Sequence, residues 1–386
     1  MAFTRKIFDE RRHYHRSRPS DPPDGLKVLL VLTRRRVAAS LAVLPALGMP
    51  VIARAAAAPK TIRIGMAMAG IGGRPYSFGS ALAVVHVQGL LEKTFSASGT
   101  SIEWNFFTGA GPAVNEALAN DALDFAWQGD LPEIVARSRG LGTQQLLVAG
   151  NRMPVYLVVA KNSKIGTLAD LRGKAVANFQ GTNMQLAVDR ILASAGLTEQ
   201  DLHIVNLDPL TARVAVADHQ IDASFTQLPL VPQMLGRLKI IFHTGASQPV
   251  LTTQTSVIAT DAFITAFPEA VDQVVKVIVG AAQWSSREEN REALYEIYGK
   301  TGYPPAIIKG VFDPIDLLTF SSPQWDGFAR AQLDRSAVDS FRFGLSRTKV
   351  DPAGWINTGP LDRALASLNL QHYWPQYAPD GVTKLS

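Results

Sequence analysis

Two neighbouring stretches decide the fold: Ser101-Ile102-Glu103-Trp104-Asn105-Phe106-Phe107, and Leu123-Asp124-Phe125-Ala126-Trp127-Gln128-Gly129-Asp130-Leu131-Pro132. Between them stands Gly109-Ala110-Gly111-Pro112, which opens a helix-period run through Ala119. Short apolar runs read as strands, and a proline in a first turn costs a helix little, because that N–H has no intrahelical partner. The order is therefore strand, helix, strand, helix. Working outward, Thr61–Ala67 alternates as a strand, and a helix is predicted from about Ser80 to Phe95. Further pairs are predicted at Lys174–Phe179 with Thr182–Ser194, and at Pro209–Ala217 with Ile221–Phe225. Val155–Ala160 and Thr255–Thr260 read as strands at two crossings between halves. From about Pro268 the chain reads as mainly helical, with Pro323–Phe343 a long amphipathic segment. Alternation of this kind predicts an α/β fold with parallel-rich sheets and helices on both faces.

The stretch Ala117–Trp127 also echoes Ala215–Phe225 at an offset of 98 residues. Each is a helix end, a polar turn, an aliphatic-Asp pair and a strand ending in an aromatic residue. This predicts two α/β lobes of similar plan. A body of this length exceeds the size at which a single core usually stops growing, which leads to the same expectation. The boundaries read as 58–152 with 255–386 for lobe one, including the helical C-terminal part, and 153–254 for lobe two.

The chain has 386 residues and a formal charge of +5. Residues 1–57 hold 11 of the 38 Lys/Arg and 4 of the 33 Asp/Glu, leaving 27 basic against 29 acidic residues in the body. The basicity belongs to the front of the chain, which argues against a nucleic-acid surface. Thr33-Arg34-Arg35-Arg36 precedes a short apolar run broken by Pro45 and Pro50, followed by Ala53-Arg54-Ala55-Ala56-Ala57-Ala58. This reads as an export leader over 1–57, by the twin-arginine or the general secretory route, and the rest of the chain as a soluble periplasmic protein and a monomer. There is no cysteine. Disulfides, thiol catalysis and a lipid anchor on a Cys after the signal are excluded.

The resemblance is carried by Ile102-Glu103-Trp104, Gly109–Leu118 and Leu123–Pro132, with Val158–Ser163, Thr167-Leu168-Ala169-Asp170-Leu171-Arg172-Gly173-Lys174 and the turn Gly181-Thr182. Over about residues 60–260 the chain resembles the substrate-binding proteins of ABC importers for sulfonates, taurine and nitrate. The resemblance implies the type II periplasmic binding protein fold, with two lobes, two hinge crossings and a ligand held between them. It also implies a permease with its ATPase as partner, and a small anion, an aliphatic sulfonate first, as ligand. An extracytoplasmic sensor, or a pyrimidine- or aromatic-ligand binder of the same fold, is the alternative.

Loops that follow strands and open helices offer free backbone N–H groups and the positive end of a helix dipole. Three fit: Gly109-Ala110-Gly111, Gln128-Gly129-Asp130 and Gln180-Gly181-Thr182-Asn183. Gln227 and Gln254 add neutral amides, and Arg74 is the candidate cationic partner. A sulfonate spreads its charge over three oxygens, so several neutral donors suffice. Structural readings stand beside these. Asp130 with Glu133 also forms a capping-box pattern, and Thr182 also reads as an N-cap. Tyr76 and Phe78 read as cleft wall or core, and Trp127 and Phe225 more as core. Gln227 stands where many relatives carry an acid, which disfavours a ligand amine. The body's five histidines, His86, His203, His219, His243 and His372, make no zinc pattern, and there is no nucleophile elbow or phosphate loop. No catalytic residue, metal or cofactor is assigned, and the chain reads as a binding protein.

Overall fold

A computed structural model describes residues 58–228, 234, 236–245 and 248–385. The export leader expected over 1–57 lies outside the described residues. The first part of the chain forms β1 (Thr61–Met66), α1 (Ala81–Val87), α2 (Leu90–Phe95), β2 (Ser101–Phe106), α3 (Ala110–Ala119), β3 (Phe125–Gly129), α4 (Asp130–Ser138) and β4 (Thr143–Met153). Then come β5 (Tyr156–Ala160), β6 (Ala175–Asn178), α5 (Asn183–Ser194), β7 (His203–Asn206), α6 (Pro209–Ala217), β8 (Ala223–Thr226), β9 (Leu238–His243) and β10 (Thr253–Thr260). The expected helix over Ser80–Phe95 is two helices, because Gly89 takes a left-handed conformation (φ 59°) between them.

The strands make two five-stranded sheets, β2-β1-β3-β10-β4 and β7-β6-β8-β5-β9. Each is mixed. Three strands run parallel, and β10 and β4, or β5 and β9, lie antiparallel to their neighbours. The antiparallel part arises at β5 and β10, each the first strand the chain forms after crossing from the other sheet. β4, β7 and β9 are strands that the sequence reading did not place.

The 98-residue echo is a structural repeat. α3 ends at Ala119 and α6 at Ala217, and β3 begins at Phe125 and β8 at Ala223. Asp121 and His219, at matching places, both adopt positive φ (53° and 57°). The aliphatic-Asp pair has one job in both halves. Asp124 Oδ2 accepts from the Arg63 N–H of β1 at 2.8 Å, and Asp222 Oδ2 from the Ala175 N–H of β6 at 2.9 Å. Each carboxylate ties the end of a turn to the neighbouring parallel strand and so sets its register.

Two main apolar clusters follow the two sheets. The larger contains Ile62, Ile64, Phe125, Val257 and much of the C-terminal third, including Phe312, Trp355 and Trp374. The other is built on Val155, Leu157, Val176, Val188, Ile191 and Phe225. The helix Pro268–Ser285 packs on α1, α2 and the helix Gly359–Leu368, covering the first sheet.

The crossings are paired with each other. The Val155 N–H donates to Thr244 Oγ1 at 2.8 Å, and the Thr244 N–H returns to Val155 O at 2.9 Å. Both are also fastened to the helix Gly327–Arg342 and the segment after it. Gln332 Nε2 donates to Val250 O (3.2 Å) and Thr252 O (3.4 Å). The Arg152 guanidinium lies over the Phe328 ring (4.6 Å) and the Tyr377 ring (4.1 Å) and donates to Gly381 O.

A buried polar chain joins α5 to the same helix. Arg190 Nε donates to Asp339 Oδ2 at 2.7 Å and its Nη2 to Ser336 Oγ at 3.0 Å. Ser336 Oγ–H in turn donates to Asp130 Oδ2 at 2.6 Å. Removing one partner of a buried pair strands the other charge. Arg190→Met is therefore expected to lower stability by about 3–5 kcal/mol, read from urea unfolding. Beside it, burial and the neighbouring Glu199 push the Asp189 carboxyl up to about 8. Full stability is present below the unfolded-chain value of about 3.9. As the pH rises from there through 8, the unfolded chain releases this proton first and stability is lost. Asp189→Asn should flatten the fall in melting temperature between pH 5 and 8.5.

Candidate functional site

A cavity of about 520 Å³ is lined by residues at the carboxyl ends of strands from both sheets. From the first sheet and its loops come Ala67–Gly73, Phe107, Thr108, Ala110, Gly111, Trp127, Gln128 and Gly129. From the second come Phe179, Thr182, Asn183, Met184, Asp208 and Gln227, and the C-terminal third adds Tyr303 and Phe320.

The polar corner is built from close backbone approaches. A Cβ on Gly129 would lie 2.5 Å from Asn183 Cβ, and one on Gly181 2.8 Å from Pro112 Cγ. Gly181 also has φ 75°, which a side chain rarely adopts. These two glycines let the starts of α3, α4 and α5 meet across the two sheets. Asn183 Nδ2 donates to Gln254 O at 3.2 Å, a second tie across the meeting point.

The helix N-termini differ in what they offer. In α5 the N–H groups of Asn183 and Met184 have no acceptor in their own helix, and both residues line the cavity. Gly111 presents its N–H at the start of α3, ahead of Pro112. The Leu131 N–H of α4, by contrast, donates to Asp130 Oδ1 at 2.8 Å. In α6, Leu210 and Thr211 donate to Asp208 Oδ1 at 3.0 and 3.1 Å. A helix start already holding a carboxylate has little left for an outside anion, so α3 and α5 are the open ones.

Of the residues singled out from sequence, Ala110, Gly111, Gln128, Gly129, Thr182, Asn183 and Gln227 line this cavity. Gln128 Nε2 donates to Asn115 Oδ1 at 3.1 Å, and Gln227 Nε2 to Thr253 Oγ1 at 2.6 Å. The Thr182 hydroxyl spends its proton on Phe179 O at 2.7 Å, so it offers a ligand only an acceptor. The others lie elsewhere. Arg74 is exposed and lies against Gly302. Tyr76 packs on the His86 ring, 5.6 Å between centroids. Gly109 is the residue before α3, and Gly181 is turned to Pro112. Gln180 is exposed, its N–H donating to Asn206 Oδ1 at 3.0 Å.

Asp130 does not line the cavity, and it is not half of a capping box, since Gly129 holds the N-cap position. It is buried against Ser336, and Glu133 accepts from Gln145 Nε2 (2.8 Å) and the Ser256 hydroxyl (2.7 Å). Burial pushes both carboxyls up, Glu133 well above the usual range. Gln254 misses by one residue. Thr253 and Thr255 line the cavity, and Gln254 turns to Ala329 O at 3.4 Å, as alternation along a strand requires.

Residues that sequence reasoning missed include Met68, Asp208, Thr211, Thr253, Thr255, Tyr303 and Phe320. The Asp208-Pro209 helix start was visible as a capping signal, but Tyr303 and Phe320 come from a region with no local mark of a site. Trp127, read as core, lines the cavity with Nε1–H on Thr255 Oγ1 at 3.1 Å. Among the described residues, no lining side chain is cationic, and Asp208 is the one charged group. No group of three or more His, Asp or Glu among them is placed to hold a metal.

A family model described as NMT1/THI5 like matches residues 95–290, half of the chain. The chain belongs to the NMT1/THI5-like family. An Escherichia coli protein named for binding aliphatic sulfonates is 35% identical over 173 residues, 44% of this chain and half the length of that relative. The crystal structure of a periplasmic sulfonate-binding protein of a sulfonate ABC transporter from Methylobacillus flagellatus superposes with a TM-score of 0.71. It is 27% identical and covers 83% of this chain and 98% of its own. The fold is also that of the desulfurization enzyme DSZB, with a TM-score of 0.58 at 15% identity over 80% of this chain and 99% of that one, solved with biphenyl-2-sulfinic acid. This NMT1/THI5-like chain thus shares its two-sheet architecture with binding proteins and with an enzyme.

The Gly129–Asn183 contact is open to a direct test. Gly129→Ala should cost about 1–3 kcal/mol by forcing α5 away, and a double-mutant cycle with Asn183→Gly should show strong coupling in chemical denaturation.

Proposed function

We propose that this chain is the extracytoplasmic solute-binding component of an ABC importer, taking a small organosulfonate or related oxyanion into the cavity between its two sheets. In this reading the sheets are the cores of two lobes, 58–152 with 255–386 and 153–254. They close by a hinge motion at the crossings near Asn151–Tyr156 and Gln248–Thr255, and the closed form passes the ligand to a permease with its ATPase. The leader over 1–57 carries the protein to the periplasm.

The observation that carries the reading is the cavity where α3 and α5 point unpaired amides at one corner. Oriented N–H groups held in a dry site bind an oxyanion without a counter-ion. The relatives named for sulfonate binding support the same ligand class. Relatives named for binding support a binding role rather than catalysis.

Isothermal calorimetry with sulfonates, sulfate and nitrate tests the class. A sulfonate is expected to bind one-to-one. The α5 amide is tested by Asn183→Pro, which the first helical position accepts because Thr182 is already extended (φ −106°, ψ 167°). Sulfonate affinity should fall about tenfold or more, and further than in Asn183→Ala, which keeps the amide and loses only the side-chain tie to Gln254 O. Absence of binding by every sulfonate would falsify the ligand class.

A further inference from the structure

We infer that the ligand is an arylsulfonate, an anionic head on an aromatic body, rather than a sulfonate of two or three carbons or an inorganic anion. This rests on the solute-binding reading above and narrows its ligand.

The cavity has two unlike ends. One is the polar corner of Gly111, Gly129, Thr182 and Asn183, which a single oxyanion fills. The remainder is apolar. Met68, Phe107, Met153, Phe179, Leu210 and Tyr303 line it while each stays only partly buried, so their apolar surfaces are open to the cavity. Behind them lie Phe78, 5.4 Å from the Tyr303 ring in an edge-on arrangement, and Phe320.

Size and chemistry point the same way. An ion such as nitrate displaces about the volume of one or two waters, roughly 30 Å³ each. The cavity holds about 520 Å³. A short ligand would leave most of it lined by uncovered apolar surface, forfeiting the burial that such surface offers. The rings come from both halves: Phe107 just after β2, Trp127 within β3, Phe179 after β6, and Tyr303 from the C-terminal third. A flat body inserted between them meets faces and edges from each side, the arrangement in which aromatic pairs gain beyond area alone. No cation competes for the ring faces, since no Lys or Arg lines the cavity among the described residues.

The test is a titration of the purified protein with ethanesulfonate, octanesulfonate and naphthalene-2-sulfonate, read by calorimetry and by tryptophan fluorescence. Naphthalene-2-sulfonate is expected to bind about thirtyfold or more tightly than ethanesulfonate and more tightly than octanesulfonate. Phe107→Ala and Met68→Ala, each checked for an unchanged melting temperature, should narrow the aryl-to-ethyl ratio about tenfold. Octanesulfonate binding as tightly as the naphthalene compound would overturn the aromatic assignment. Ethanesulfonate binding as tightly would overturn the size argument too, yet leave the sulfonate reading standing. Failure of all three sulfonates would remove both.

Discussion

The structure depends on two crossings of the chain. It leaves β4 of the first sheet to form β5, an inner strand of the second, and leaves β9 of the second to form β10, an inner strand of the first. The second sheet is built wholly from the stretch between the crossings, whereas the first is completed only when the chain returns with β10. An inner strand gives up its ladder on both edges if it leaves, so that return is fixed in the first sheet. The same crossings explain why the sheets are mixed. They also explain why the carboxyl ends of the parallel strands, where helices begin, look at one another across a shared space.

That shared space is kept narrow by what is missing from its walls. Gly129 and Gly181 carry no Cβ where Asn183 and Pro112 press against the backbone. With side chains there, the starts of α3, α4 and α5 would stand apart. The helix starts then divide their labour. α4 and α6 neutralise their own first turns with Asp130 and Asp208, and α3 and α5 do not. Asp130 is further committed to a buried chain through Ser336 and Arg190 to Asp339, so the element that positions the corner is also the one that anchors the Gly327–Arg342 helix.

Much of this was legible before any coordinates. The alternation of apolar runs and helix-period runs gave the α/β class, and the 98-residue echo marked a repeat that extends to matching left-handed residues and matching Asp carboxylates. Helix starts were visible as glycine and proline signals, so the loops bearing Ala110, Gly111, Gln128, Gly129, Thr182 and Asn183 were found. What failed was the direction of individual side chains. Asp130 looks the same in sequence whether it points at a ligand or at Ser336, and Gln254 differs from Thr253 only in strand phase, which the start of β10 sets. The antiparallel edge strands β4 and β9 were not placed, because antiparallel partners are set by long-range pairing. Tyr303 and Phe320 reach the cavity only through packing of a helical region whose periodicity reports burial and not address.

The two connections between the halves share their moorings. Val155 and Thr244 bond directly to each other, Gln332 holds the carbonyls of Val250 and Thr252, and Arg152 is clasped by Phe328, Tyr377 and Gly381. Ropes tied to a common post cannot slacken one at a time. Sliding and twisting of one half on the other are thereby penalised. Under the proposed role, a docking surface that spans both halves would present one angle to its reader, and full and empty would differ in a single geometric variable.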